Sequence, residues 1–131
     1  MSEAGARGPQ VDASEDLYRF ITTPSFWVAG ENRPSSAAFD HPPPISVNVA
    51  SLTTVEETTR QLREDLEKPL GGIISVGCGR ARGFGFDARH EPEKNNLAHA
   101  HLYYDGSNNS RKKNARRLVE QFELVLQPQF Q

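Results

Sequence analysis

The sequence predicts an α+β domain: a small mixed sheet of about four strands, packed by a C-terminal amphipathic helix, with a second, mostly solvated helix. Three observations lead there. Short stretches with strand character recur at residues 17–21, 45–49, 73–76 and 97–104. Apolar residues at helical spacing (Ala115, Leu118, Val119, Phe122, Val125, Leu126) close the chain. Strands and helices alternate irregularly, without the regular rhythm of a doubly wound sheet.

The elements follow in order. Residues 1–14 are Gly, Ala, Pro and polar residues without periodicity, and read as a disordered N-terminal tail. Leu17-Tyr18-Arg19-Phe20-Ile21 is a short strand closed by Thr22-Thr23-Pro24, and Phe26 and Trp27 add an apolar hook. Residues 30–44 are turn-rich and end in Pro42-Pro43-Pro44, which forces extended backbone and ends any helix before it. Ile45, Val47 and Val49 then share one strand face against Ser46, Asn48 and Ala50.

Thr54-Val55-Glu56-Glu57 has the form of a capping box, so a helix is expected from Val55 to about Lys68, stopped by Pro69 and Gly71-Gly72. Its apolar stripe (Val55, Leu62, Leu66) is thin, which places it on the outside. Residues 73–76 form a buried strand, residues 77–82 a turn or two of helix capped by Gly83, and residues 84–89 an extended segment. Residues 97–104 are a strand that sorts by parity: Ala98, Ala100, Leu102 and Tyr104 face one way, His99, His101 and Tyr103 the other. The last helix starts near Ser110, and residues 127–131 are a tail, leaving 15–126 as a single domain.

At 131 residues, such a chain buries roughly 65–68% of its unfolded surface if it folds alone. The net charge of −2 excludes a globally basic nucleic-acid binder. The charge is uneven, however, at −5 over residues 1–70 and +3 over residues 71–131, which leaves room for a local basic face. Neither a signal peptide nor a run of about 20 apolar residues is present, so neither export nor a membrane is expected. One cysteine, Cys78, permits no internal disulfide and fits a reducing cytoplasm.

The strongest functional signal is the run from Ser107 to Arg117. Arg111, Lys112, Lys113, Arg116 and Arg117 fall in the first two turns of the expected helix, with Glu120 and Glu123 nearer its end. Cations at a helix N-terminus oppose the dipole by about 0.3–1 kcal/mol each, so a bound anion is the simplest compensation. Ser107 and Ser110 add hydroxyl donors there. Arg33, with Ser35 and Ser36 in a loop that Phe39 can pin, offers a fork and short donors suited to phosphate. The bland alternative is a solvated charged face and a structural turn.

Other constellations are weaker. His99 and His101, with His90, Glu91, Glu93 and Asp87 nearby, are conceivable as a zinc-like set, but a polar sheet face with hydrogen-bonded histidines is the expectation, and no metal. Gly77-Cys78-Gly79-Arg80-Ala81-Arg82-Gly83 follows a strand like a dinucleotide loop, yet its third glycine comes one residue late and a tight turn is expected. Cys78 beside Arg80 and Arg82 would have a lowered pKa if a helix N-terminus pointed at it.

Taken together, Leu17-Tyr18-Arg19, Arg33-Pro34-Ser35-Ser36-Ala37-Ala38-Phe39, Ser46-Val47, Asn96-Leu97-Ala98-His99-Ala100 and the basic run resemble a group of small bacterial proteins of no established activity. That resemblance implies a bacterial, intracellular, single-domain protein and supplies no catalytic residue. The Tyr18-Arg19 strand is also similar to the ADP-ribosyltransferase-like fold, which implies a nicotinamide-dinucleotide ligand held by Arg19. The glutamate pair of that family is absent, and histidines stand on the late strand instead. The first functional expectation is a domain binding a phosphate-bearing partner, nucleic acid or nucleotide, through the basic run with Arg33. The second is an enzyme on a nucleotide or NAD-like ligand using Arg19, Ser35 or Ser36, His99 and His101. The third is a module for an acidic protein partner. No cofactor is specified.

Overall fold

A computed structural model describes residues 6–130. The chain runs through β1 (Asp16–Ile21), β2 (Trp27–Val28), β3 (Arg33–Pro34), β4 (Ile45–Val49), α1 (Val55–Arg60), β5 (Gly72–Gly77), α2 (Cys78–Gly83), β6 (Phe86–His90), β7 (His99–Tyr104), α3 (Asn108–Val119) and β8 (Glu123–Leu126). The α+β class holds, but the sheet has six strands, not four, in the order β6-β7-β4-β1-β5-β8. Every pairing in it is antiparallel, so it is not mixed. β2 and β3 form a separate two-stranded ribbon.

The expected strands are present, and their alternation sets two faces. Leu17, Ile21, Ile45, Val47, Val49, Ile74, Val76, Ala100 and Leu102 join one buried cluster, which α3 covers with Ala115, Leu118 and Val119. Tyr18, Phe20, Asn48, Ser75, His99 and His101 project from the other face by the same alternation. Phe39 is fully buried and pins the 3-10 turn Ser36–Ala38 against α3.

The last helix differs most from expectation. It starts at Asn108, two residues before Ser110, with Ser107 as its cap, and it stops at Val119 rather than Leu126. Residues Glu123–Leu126 pair with β5 as the edge strand β8. The spacing of Phe122, Val125 and Leu126 suits either structure, and the open edge of β5 decides between them by offering ladder partners to unpaired backbone groups. Phe122 is therefore only half-buried, outside the helix.

α1 is also shorter than expected. It begins at Val55 with the Thr54 cap in place, but Gln61–Asp65 is a π-turn and Glu67 takes a left-handed φ of 54°. Of its expected stripe only Leu62 is buried; Val55 and Leu66 are exposed, and Thr58 and Gln61 are buried in their place. α2 ends without Gly83 as its left-handed cap, that conformation falling on Gly85 (φ 91°).

Both expected tails contribute to the fold where they are described. Gln10 bridges to Arg89, Val11 is buried, and Arg7 lies 4.0 Å over the Tyr103 ring. Gln129 donates its N–H to the Leu70 carbonyl and Phe130 packs against the core. The remainder of those two segments, residues 1–5 and 131, lies outside the described residues. No helix among the described residues is long and apolar enough to cross a membrane.

Candidate functional site

β1 and β4 pair only at Leu17↔Val49 and Tyr18↔Asn48, and then part. Arg19 fills the gap. Its Nε donates to the Ala38 carbonyl at 2.7 Å, Nη1 to the Ser46 carbonyl at 3.2 Å, and Nη2 to His41 Nε2 at 2.7 Å. The residue is 7% exposed and, among the described residues, has no carboxylate partner. Burial lowers its pKa to about 10, so it remains a cation at neutral pH. His41 accepts that bond with a ring nitrogen, so the ring is neutral there. Burial, Arg19 and Arg111 all press its pKa below the ordinary value.

Where the strands part, a cavity of about 830 Å³ opens on the sheet face opposite α3, within the range typical of small-ligand sites. Phe20, Ser46, Asn48, Gln61 and His99 line it, while Arg19, which shares the core-face parity of Leu17 and Ile21, borders it where its guanidinium crosses the gap to the Ser46 carbonyl. Six polar or charged side chains of the described chain are buried, and four of them (Arg19, Asn48, Gln61, His99) line or border this one cavity. Buried polar groups are costly unless paired, and each of these is paired: Arg19 and His99 with groups beside the cavity, Asn48 and Gln61 through a chain of amides. Asn96 Nδ2 donates to Asn48 Oδ1 at 2.8 Å, and Asn48 Nδ2 donates to Gln61 Oε1 at 3.0 Å. Gln61 reaches them because it begins the π-turn, a rare deformation found frequently at functional sites. Lys94, Glu93, Arg60 and Asp65 stand around the rim.

His99 and His101 lie side by side, ring centroids 4.5 Å apart and edge to face. His99 Nδ1 donates to the Glu91 carbonyl at 2.8 Å, and its Nε2 lies 3.2 Å from Ser46 Oγ. His101 Nδ1 donates to Glu91 Oε1 at 2.6 Å, which also accepts from Tyr103 at 2.8 Å, while Glu91 Oε2 accepts the Gly8 N–H at 2.8 Å. Burial pushes the Glu91 pKa up, but these three donors together hold it below the ordinary carboxylate value. The histidine rings thus meet polar groups of the sheet face, and His90 turns to the Leu97 carbonyl. No metal-holding group of three His, Cys, Asp or Glu occurs among the described residues.

On the opposite face Arg33, Ser35 and Ser36 meet Arg116 in a groove of about 400 Å³, with Glu120 and Val119. The two sequence segments singled out for anion binding therefore converge, but near the end of α3 and not at its start. The start is occupied: Ser107 caps Ser110 N–H, Ser110 Oγ bonds Tyr104, and Arg111 pairs with Asp40 at 3.3 Å. Because α3 stops at Val119, Arg116 and Arg117 fall in its last turn, where cations favour the dipole. The charge gradient expected to oppose the helix is reduced to Arg111, Lys112 and Lys113, which weakens that reason for an anion at the N-terminus. Lys112, Lys113, Arg116 and Arg117 are exposed. Arg33 spends its Nε on Glu31 and Ser35 donates to the Ser25 carbonyl, so both are partly committed.

Of the expected catalytic set, Arg19 and His99 share a cavity, His101 adjoins it through His99, and Ser35 and Ser36 lie across the sheet. Cys78 is buried, and burial raises its pKa instead of lowering it. The glycine run around it holds a six-residue helix, too short for a dinucleotide loop. Asn48 and Gln61 join the site without any sequence motif to mark them, while Ser46 and Asn96 stood only in the segments of the resemblance and Glu91 only beside the histidines. The parities of β4 and β7, laid side by side, would have put Ser46, Asn48, His99 and His101 on one face. No protein-family model matches this chain, and no curated protein or solved structure matches it.

Proposed function

We propose that this domain binds a small phosphate- or carboxylate-bearing ligand of nucleotide size in the cavity beside Arg19. One observation carries the reading: four of the six buried polar side chains converge there, one of them a cation with no carboxylate partner among the described residues. A buried charge without a counter-ion is unfavourable, and a ligand anion supplies one. Asn48, Gln61, Asn96 and Ser46 provide amide and hydroxyl edges for a polar heterocycle, and Phe20 an apolar wall. The ligand class includes the NAD-like dinucleotide implied by the Tyr18-Arg19 resemblance. Differential scanning fluorimetry against mono- and dinucleotides, sugar phosphates and carboxylates tests this, followed by calorimetry on Asn96→Ala and Arg19→Gln. At a hundredfold excess over Kd a ligand stabilises by about 2.7 kcal/mol. If no anion raises the melting temperature, the reading fails.

A second reading is favoured by the convergence of Arg33, Ser36 and Arg116 in one groove beside the exposed Lys112, Lys113 and Arg117. This basic face suits the backbone of a nucleic acid, bound as an accessory function without chemistry of its own. Its mark is a log–log salt slope near −0.9 per phosphate neutralised. An acidic protein in place of nucleic acid would co-purify with the parent and not with Arg33→Glu.

A further inference from the structure

We infer that Ser46 is an activated nucleophile with His99 as its general base, and that the cavity hydrolyses small carboxylic esters bearing an anionic group. This rests on the cavity reading above for the binding of the substrate, and adds a reaction to it. The hydrogen bonds assign the protons. A carbonyl oxygen only accepts, so the 2.8 Å contact from the Glu91 carbonyl fixes the proton of neutral His99 on Nδ1. Its Nε2 then carries a lone pair, and the Ser46 hydroxyl 3.2 Å away donates to it. A nucleophile, a base within hydrogen-bond reach and a third group orienting that base is the arrangement that activates a serine.

Burial and exposure divide correctly between the pair. His99 is 5% exposed, held from below by the Glu91 carbonyl, whereas Ser46 is exposed on β4 and lines the cavity. The Ser46 backbone is held at the parting of the strands by Arg19 Nη1 on its carbonyl, so Arg19 is a positioning residue for the nucleophile and supplies positive charge near the substrate anion. Glu93 Oε2, 3.9 Å from Nε2, favours the imidazolium that forms when the proton arrives.

The steps balance without a cofactor. Ser46 Oγ bonds the ester carbonyl carbon as its proton passes to His99 Nε2. The bond to the alcohol oxygen breaks, and the departing alkoxide takes that proton. A water then gives its proton to Nε2 as its oxygen bonds the acyl carbon. The acyl–Oγ bond breaks, the proton returns to Oγ, and the carboxylic acid leaves. Lys94 and Asn95, on the loop before β7, line the same cavity and bring side-chain donors that would meet the oxyanion.

The test uses the full chain and a fluorophosphonate probe, which phosphonylates an activated serine with loss of fluoride. The expected result is one adduct by intact mass, mapped to Ser46, absent in Ser46→Ala and formed at least tenfold more slowly in His99→Gln. Because His99 is buried, Ser46→Cys provides a second measurement with His99 intact. Its introduced thiol should alkylate with iodoacetamide along a pH profile centred below the ordinary thiol value of about 8.5, read by peptide mapping apart from Cys78. An unlabelled Ser46 together with an ordinary thiol profile overturns the inference. If the parent chain still gains thermal stability from anions, the cavity reading survives that failure; if it does not, both fall.

Discussion

Replacing Asn48 by leucine removes the centre of the amide chain that lines the cavity, and the structure sets the size of the effect. Asn48 is 3% exposed and holds two hydrogen bonds, to Gln61 at 3.0 Å and from Asn96 at 2.8 Å. Each such bond contributes about 1 kcal/mol net. Gln61 Oε1, on a residue 6% exposed, would be left buried without a donor at a cost of about 1–3 kcal/mol. Asn96 is half-buried and can turn to water. Asn48→Leu should therefore cost about 2–4 kcal/mol, read by urea unfolding with an unchanged m-value. For a chain of this length that is a fall of roughly 7–15 °C in Tm. Gln61→Leu in the same background should restore about 1–2 kcal/mol relative to additivity, since removing both partners is nearly neutral. Strict additivity of the two changes, or a single-variant cost under about 1 kcal/mol, would refute a buried, mutually satisfied amide chain.

Acid should destabilise the fold through His41. Its folded pKa lies below the ordinary 6.5, so below pH 6.5 the unfolded chain binds a proton the folded one refuses, and stability falls until the pH reaches the folded value. His41→Gln should lose less stability than the parent between pH 7 and pH 5.5, and equal losses would exclude this origin. Lys112→Glu with Arg116→Glu exchanges one like-charge i,i+4 pair for another and replaces a favourable last-turn cation by an acid, so unfolding free energy should fall by about 0.3–1 kcal/mol. The same pair should flatten the salt slope of any nucleic-acid binding by about one unit for each phosphate no longer neutralised, and an unchanged slope would reduce the basic run to a solvated face. Arg19→Lys keeps the charge but not the fork, so anion affinity should fall at least tenfold by calorimetry, with loss of β1–β4 amide protection in hydrogen exchange. Gly85→Ala meets a φ of 91° and the Tyr104 ring, its added Cβ only 3.0 Å from Cε1, and should cost about 1–3 kcal/mol in urea.

How far the sequence could be read depended on whether its signals were local. Ile45, Val47 and Val49 alternate within one strand, and Ser107 and Thr54 cap helices from one position away, so those elements could be read directly. Where α3 ends could not, because Phe122, Val125 and Leu126 fit both a helix and an edge strand, and only the open side of β5 decides. That single difference also reversed the meaning of Arg116 and Arg117, which oppose the dipole of a longer helix and favour that of the real one. Arg19 and His99 stood out by residue type. Asn48 and Gln61 did not, and Asn96 stood out only within a segment of the resemblance and not for its role, since their partners lie 13 and 48 positions apart and a lone amide in a sequence carries no sign of what it will meet. Gln61 was further hidden because its placement depends on a π-turn that helical periodicity does not foretell.

Arg19 ties the opening of the sheet to the chemistry of the cavity. Beyond Tyr18↔Asn48 the backbone groups of β1 and β4 no longer satisfy each other, and unpaired carbonyls in a buried seam are costly. A side chain that spans the seam must donate along several directions at once. The guanidinium does so with three nitrogens, reaching Ala38, Ser46 and His41, whereas an ammonium donates from a single point and a neutral amide has only two hydrogens to give. Neutral His41 completes the set as an acceptor, because a protonated ring 2.7 Å from Nη2 would repel it. The device that holds the strands apart is thus necessarily cationic, and among the described residues no carboxylate balances it, so the positive charge stays at the border of the opening between them. A seam closed by backbone ladder bonds would be more stable, but it would have neither the cavity nor the charge.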